Sequence, residues 1–514
     1  TIADFDRDRG NIHMRRAVEL DPGRLDYLMA LVESLERTRS GDEGANIQEA
    51  YQLIQTALAL GVDTFGPAHL KIAYEVLVRV CAFDELEKLG TLTSLGRTWV
   101  EWGRHTALMK LLGQARTMED RLELVDQHRN WGLRAERIAA RRPLRRATAR
   151  PADGRIRLGL MSSDLRRHPV GYFAMPLFEH IDRTRFELFC YSFYQGQQDP
   201  VQEQMAGAAT AFRWNPDINA GDAAQMIADD QLDMLIELGG STHMNKLEVM
   251  SYKPAPRQAS WLGYPHSAGP TAIDYMVVDP YIMPTKPELL IEQPLVLPHA
   301  WYPMTPASFR DQPAANAVPP MATNGFVTFG TANNPYKYNR ETVRAWSEIM
   351  RGSPNSRFLF IRPEGGTKAF RDNLIAEFGK HGIAAERILF EPVRGAHMPH
   401  YNRMDISLDS FSQTGGTTTC ESIWMGAPCV TLVGDSIFER LSYSVLNNLD
   451  LGDLCAWTVE AYVEIATRLA HDGARVAALR AGMRDRVRSS PLGQTEAWAR
   501  DYYAAVAGVV ETTR

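Results

Sequence analysis

The stretch Asp405–Gly426 holds groups suited to gripping an anion. It reads as a short buried strand, Ile406–Leu408, then a glycine-rich turn and a helix beginning near Thr418. Gly415 and Gly416 let the backbone come close to a ligand, and Thr417, Thr418 and Thr419 put hydroxyls where the first helical N–H groups lack partners. Free donors and the positive end of a helix dipole then point the same way. A turn with an ordinary threonine cap is the plainer reading of this segment alone. A helix terminus adds only about 0.3–1 kcal/mol toward holding a charge, so an anion site here calls for a nearby cation. Lys337 supplies one. It lies in the loop Gly330–Asn339 with Asn333, Asn334 and Tyr336, after another buried strand. Alone it reads as a solvated lysine; beside the threonine turn it completes a diphosphate clamp.

A proton acceptor is offered by His168 in the loop Ser162–Gly171, since an imidazole with an ordinary pKa near 6.5 suits a hydroxyl proton. A capping or packing histidine is the alternative. His397 and His400 stand at the start of a helix after the strand Ile388–Pro392. Three histidines at strand ends raise the question of zinc, but no spacing resembles a ligand set. With no D-x-D pair at a strand end either, no metal is expected.

These loops need a scaffold to bring them together. From Arg155 short apolar runs alternate with helical patterns: Ile156–Met161, Phe186–Ser192, Met234–Leu238, Gln258–Leu262 and Tyr275–Asp279. A proline-rich connector, Pro294–Pro320, precedes a second set: Phe326–Phe329, Arg357–Arg362, Ile388–Pro392, Ile406–Leu408 and Cys429–Val433. Such alternation implies two doubly wound parallel sheets, with ligands gathered at the carboxyl ends of strands and in the cleft between the domains. Residues 1–150 instead show apolar spacings of three and four, as in Tyr27–Leu35, Ala50–Leu58 and Ile72–Val80. Arg16–Pro22 closes a helix and stops it with proline, as in a degenerate tetratricopeptide unit, with a weaker echo at Thr56–Asp63. That region reads either as a protein-binding arm or as a cap on the core, ending in a helix around Gln127–Ala135. The expected domains are 1–150, 151–322 and 323–514, the last with terminal helices around Gln494–Val510.

A chain of 514 residues has ample core for three domains, and its 45% hydrophobic and 23% charged residues are those of a globular protein. The formal net charge of −6 argues against a general nucleic-acid binder, and the basic cluster Arg141–Arg150 reads as a solvated junction. Five scattered cysteines without a C-x-x-C pair fit a reducing, cytoplasmic compartment. No window is apolar enough to span a membrane. The chain starts at Thr1 without a signal-peptide pattern, which fits a shortened form of a longer sequence.

Four motifs in this order resemble the O-linked N-acetylglucosamine transferases: Ser162-Ser-Asp164 with His168-Pro169, Arg257–Pro265, Tyr336-Lys337, and Gly416–Pro428. The resemblance runs from about Asp164 to the end and includes a helical front end. It implies two facing Rossmann-like domains (the GT-B architecture) behind a tetratricopeptide-like region. It further implies metal-independent, inverting transfer of N-acetylglucosamine from a uridine diphosphate donor to serine or threonine hydroxyls of a protein acceptor. No cofactor is implied beyond the nucleotide sugar. By the same resemblance Lys337 contacts the diphosphate, Thr417 and Thr418 bind phosphates, and Glu421 takes the ribose-contact place. His397 lies beside the uracil with Asn334 near, and His168 is a candidate base with Asp164 in its motif. Leu262, Gly263 and Pro265 wall the sugar, and Thr242 lies close to it. Three residues depart from the animal enzymes: Gly416 for a histidine, Glu421 for an aspartate, and His266 for a glycine. The run Gly-Thr-Thr-Thr-Cys-Glu-Ser is also similar to the plant SPINDLY proteins, which use GDP-fucose. A fucosyltransferase is therefore one alternative, and a non-catalytic scaffold on a relic fold is another.

Overall fold

The computed structural model describes residues 4–39, 42–146, 154–305 and 313–512. The expected boundary at 150/151, the end of the basic cluster and part of the proline-rich connector lie outside them. Two all-parallel sheets form the core. The first runs through Ile156–Met161 (β1), Phe186–Ser192 (β2), Ala211–Trp214 (β3), Met234–Glu237 (β4), Arg257–Ser260 (β5), Tyr275–Val278 (β6) and Gln293–Val296 (β7), in the order β3-β2-β1-β4-β5-β6-β7. The second runs through Val327–Thr331 (β8), Ser356–Ile361 (β9), Ile388–Glu391 (β10), Ile406–Leu408 (β11), Cys429–Leu432 (β12) and Cys455–Ala456 (β13), in the order β10-β9-β8-β11-β12-β13. In both sheets the winding reverses beside the first strand, which creates the crevice where ligands of such folds settle. The β1–β4 and β8–β11 junctions are those two points.

Strands β3, β7 and β13 are additions to the sequence reading. All three are short, and β7 straddles the start of the expected connector. Pro294 is tolerated there because β7 is an edge strand, bonded to β6 alone. The helix expected to start around His397 and His400 is a single 3₁₀ segment, Met398–Arg403, with His397 at its N-cap.

The amino-terminal region is helical throughout, including Leu25–Arg37, Glu43–Ala59, Pro67–Arg79 and Met118–Ala139. It packs on the second sheet as a cap. Arg79 donates through Nε to Glu364 at 2.7 Å, Ala369 N donates to Gln48 at 2.8 Å, and Asn373 donates to the Val80 carbonyl at 2.9 Å. Of the two readings open in the sequence, the packing is that of a cap. The described part of the basic cluster is docked as well: Arg142 pairs with Asp222, and Arg146 donates to the Lys253 carbonyl at 2.8 Å.

The final helix, Thr495–Glu511, buries Trp498, Tyr502, Tyr503 and Val506. Its partners belong to the first sheet's domain, not to the expected domain 323–514. Trp498 stacks on Trp261 at 5.7 Å and donates to the Ala300 carbonyl at 2.8 Å, and Tyr503 bonds the Leu177 carbonyl. Helical periodicity reveals an apolar face but not which domain covers it.

Candidate active site

Pairing of β8 with β11 accounts for the meeting of Lys337 and the threonine turn. Their register matches Ile406 with Phe329 and Ser407 with Gly330, so the loops leaving both carboxyl ends emerge side by side. The β8 loop contains the 3₁₀ turn Pro335–Lys337, capped by Asn334. The β11 loop leads to the helix Thr417–Trp424 with Gly416 at its N-cap. Lys337 Nζ donates to the Thr414 carbonyl at 2.7 Å, directly before the two glycines. The first intrahelical bond is Cys420 N to the Gly416 carbonyl at 3.1 Å, which leaves the N–H groups of Thr417–Thr419 ahead of the ladder.

Asp409, at the end of β11, organises this corner. Its carboxylate accepts from Gly415 N at 2.7 Å, Asn333 Nδ2 at 2.8 Å and Thr431 Oγ1 at 2.8 Å. Sequence reasoning passed over Asp409, although a carboxylate between a buried strand and a glycine turn was the available signal. Lys337 is only 9% exposed. Burial pushes its ammonium down to about 8, against the pull of Asp409 and with a smaller push from Arg362.

A cleft of about 270 Å³ unites residues from both sheets: His168, Leu262, Gly263 and Pro265 from the first, and Lys337, Gly416 and Thr417 from the second. Phe173, Tyr302 and Met109 also line it. Tyr302 comes from the connector and Met109 from the helical region, and neither carries a local sequence signal. A second cavity of about 200 Å³ shares Tyr336 with this cleft and is lined by Asn334 with Arg79, Lys110, Arg362 and Arg394 and the carboxylates Glu36, Glu75 and Glu364.

The remaining expected residues stand off the cleft wall. Thr418 gives its hydroxyl to Asn333 Oδ1. Glu421 faces inward: its carboxylate takes His397 Nε2 at 2.9 Å and the Tyr401 hydroxyl at 2.9 Å. Burial disfavours the His397 imidazolium, but the Glu421 bond and charge outweigh it and raise the His397 pKa. Thr242, expected close to a bound sugar, is not among the residues that line this cleft. Its hydroxyl donates to the Gly239 carbonyl at 2.6 Å and accepts from Asn245 at 2.8 Å. Asp164 is likewise held back, by Arg166 at 3.1 Å and Asn245 at 3.2 Å.

His168 caps the helix Pro169–Glu179, with Nδ1 accepting from Val170 N at 3.3 Å. A neutral ring that accepts at Nδ1 carries its proton on Nε2, so the other nitrogen is a donor. Burial lowers the His168 pKa further, with Asp164 opposing and Arg166 adding to it. The tautomer set by the cap thus runs against the expected role as base.

Leu262 has φ +80, and Gly263 N bonds back to the Trp261 carbonyl at 3.1 Å. This tight γ turn is strained for a branched side chain and persists only where its surroundings over-determine it. Among the described residues no helix is long and apolar enough to cross a membrane, and no group of three or more His, Cys, Asp or Glu is placed to hold a metal ion.

Comparison with known proteins places this geometry among relatives. The model of glycosyl transferase family 41 matches residues 104–301 and 321–502. A probable UDP-N-acetylglucosamine–peptide N-acetylglucosaminyltransferase SPINDLY from Hordeum vulgare is 32% identical over 392 residues, covering 74% of this chain and 41% of its own length. The protein of that name from Arabidopsis thaliana is 32% identical over 380 residues, covering 72% and 41%. The chain thus spans about two fifths of the length of these curated relatives. A mutant O-GlcNAc transferase from Thermobaculum terrenum superimposes with a TM-score of 0.84 at 25% identity, over 99% of this chain and 96% of that one.

Proposed function

The chain belongs to glycosyl transferase family 41, and from that premise we propose that it transfers N-acetylglucosamine from a uridine diphosphate donor to serine or threonine hydroxyls of a protein, with inversion at C1. The observation that carries the reading is the single cleft lined by Lys337, Gly416 and Thr417 on one side and by His168, Leu262, Gly263 and Pro265 on the other. One wall suits a departing diphosphate and the other a sugar ring.

In this reading the acceptor oxygen bonds to C1 as the C1–phosphate oxygen bond breaks, the diphosphate leaves toward Lys337 and the helix start at Thr417, and the acceptor's hydroxyl proton passes to an oxygen of the departing diphosphate. Charge on the leaving group grows along the reaction, so donors fixed in a poorly hydrated pocket act most strongly in the transition state. An oxocarbenium-like centre needs little nucleophilic push. That suits His168 as a hydrogen-bond donor that orients sugar or acceptor instead of removing the proton. Glu421, tied to His397 and Tyr401, forms the floor for the nucleoside. No metal takes part. The helical cap, adjoining the cleft through Met109, is the surface over which the acceptor protein approaches.

Competition among UDP-GlcNAc, UDP-glucose and GDP-fucose, followed by sugar release, tests the reading. Preferred binding and release of N-acetylglucosamine is the expected result. Preference for GDP-fucose would move the chain to the SPINDLY-like alternative, and binding of UDP without sugar release would favour a scaffold.

The ionisation of Lys337 gives a second check. Its acid form is the useful one, and in the free protein that form is lost as pH rises through about 8. kcat/KM should therefore fall on the alkaline side near that pH. A bound diphosphate adds negative charge beside Nζ and pulls the pKa upward, so the limb in kcat should lie higher. A pH–rate profile flat through this range would contradict the role.

A further inference from the structure

The helix Met118–Ala139 reaches both walls of the cleft by separate contacts. Near its start Arg121 grips Glu439 through two bonds, Nε at 2.7 Å and Nη2 at 2.6 Å. Glu439 is 3% exposed, and its carboxylate also accepts from Asp435 N at 3.0 Å and Ser436 N at 2.9 Å. The fork therefore fixes the segment that includes Phe438. The Phe438 carbonyl accepts from Thr414 N at 2.9 Å and Thr414 Oγ1 at 3.1 Å, and the Thr414 carbonyl in turn holds Lys337 Nζ.

Two turns further along, His128 reaches the opposite wall. Its Nδ1 donates to the Leu124 carbonyl at 2.6 Å, so Nε2 accepts from the Tyr264 hydroxyl at 2.7 Å. Tyr264 stands between Gly263 and Pro265, next to the strained turn at Leu262. His266 stacks on His128 at 4.3 Å and on Phe438 at 5.9 Å, joining the two walls by rings. A third group on the helix, Gly132, lies so close to Gly269 that a Cβ there would meet its carbonyl carbon at 2.3 Å. The helix is thus seated against backbone that a side chain would displace.

We infer that Arg121 and His128 are positioning residues: one helix of the cap sets the Thr414–Lys337 wall through Glu439 and the Leu262–Pro265 wall through Tyr264, and so fixes the spacing across which transfer occurs. The helical region is then part of the catalytic machinery whatever else it binds. The inference about turnover rests on the proposed role of Lys337; the coupling between helix and walls does not.

The full chain carrying Arg121→Met, Arg121→Lys or His128→Gln should be followed by hydrogen–deuterium exchange and by steady-state sugar release. Arg121→Met should speed exchange over residues 410–420 by roughly tenfold, with the protection of both sheets retained. His128→Gln should do the same over 261–269. Misplacing Lys337 should lower kcat about tenfold while the donor KM stays within about twofold, because the displaced group acts in the transition state. Arg121→Lys, which keeps the charge but loses the fork, should fall between wild type and Arg121→Met in both readouts. If Arg121→Met fails to fold, a lowered kcat at unchanged KM in Arg121→Lys supports the inference and wild-type kcat overturns it. Exchange that is unchanged over 410–420, or raised uniformly over the chain, also overturns it. If the wild type itself releases no sugar, the proposed function fails and the exchange pattern still decides the coupling.

Discussion

Replacing Lys337 by alanine should lower turnover by about two to three orders of magnitude, the usual loss when one donor to a developing oxyanion is removed. Thermal unfolding should stay close to wild type. The reason lies in the burial of the ammonium, which pushes its pKa down to about 8. Alanine relieves that desolvation, and the loss of the 2.7 Å bond to the Thr414 carbonyl works in the other direction. Function and stability therefore separate at this residue. Thr418→Ala should cost far less activity, because the first-turn N–H groups remain and its hydroxyl is already engaged by Asn333. Sugar release measured beside thermal melts checks both variants. Wild-type turnover in Lys337→Ala would remove the clamp from the mechanism.

The meeting of Lys337 with the threonine turn was legible because two local signals sat at the carboxyl ends of strands in one alternating series. What the sequence left open was the strand order, and the order makes β8 and β11 neighbours. Fates that depend on tertiary contact were less legible. Glu421 has the spacing of a ligand contact, yet its carboxylate turns to His397 and Tyr401. Thr242 follows a strand end as a sugar contact would, but Gly239 and Asn245 engage its hydroxyl first. His168 read either as a base or as a capping histidine, and it caps the helix that follows it. His266 stood out only as a departure from a glycine, and its reason is the buried stack between His128 and Phe438. For Glu421 and His266 residue type was visible while the partner, twenty or more positions away, was not; Thr242 and His168 instead bond neighbours two or three positions away, a local competition that a motif does not display.

The same long-range dependence governs the junction between the helical cap and the second sheet. Arg79 lies at its centre, donating to Glu364 Oε1 at 2.7 Å and to Glu36 Oε1 at 3.1 Å, and pairing with Glu43. Glu364 is 1% exposed and also takes Arg362 Nε at 3.1 Å. Arg79→Met keeps much of the side-chain length and removes the charge, leaving buried carboxylates short of a partner. Breaking such a cluster typically costs about 3–5 kcal/mol, so Arg79→Met should rank among the most destabilising single changes in the chain.

The pH dependence identifies the cause. Burial alone would raise the Glu364 pKa, but Arg362 and Arg79 overcome it and hold the carboxyl at about 2, below its ordinary 4.5. A depressed carboxyl contributes stability that is fully present above its unfolded pKa and lost as pH falls from 4.5 toward 2. Without Arg79 that depression shrinks, so wild type should lose more than the variant on acidification. The stability gap between them, read from denaturant melts at a series of pH values, should therefore narrow toward acid. A gap that is small at neutral pH, or that widens as pH falls, would mean that apolar packing and not this ion cluster holds the cap on the second sheet.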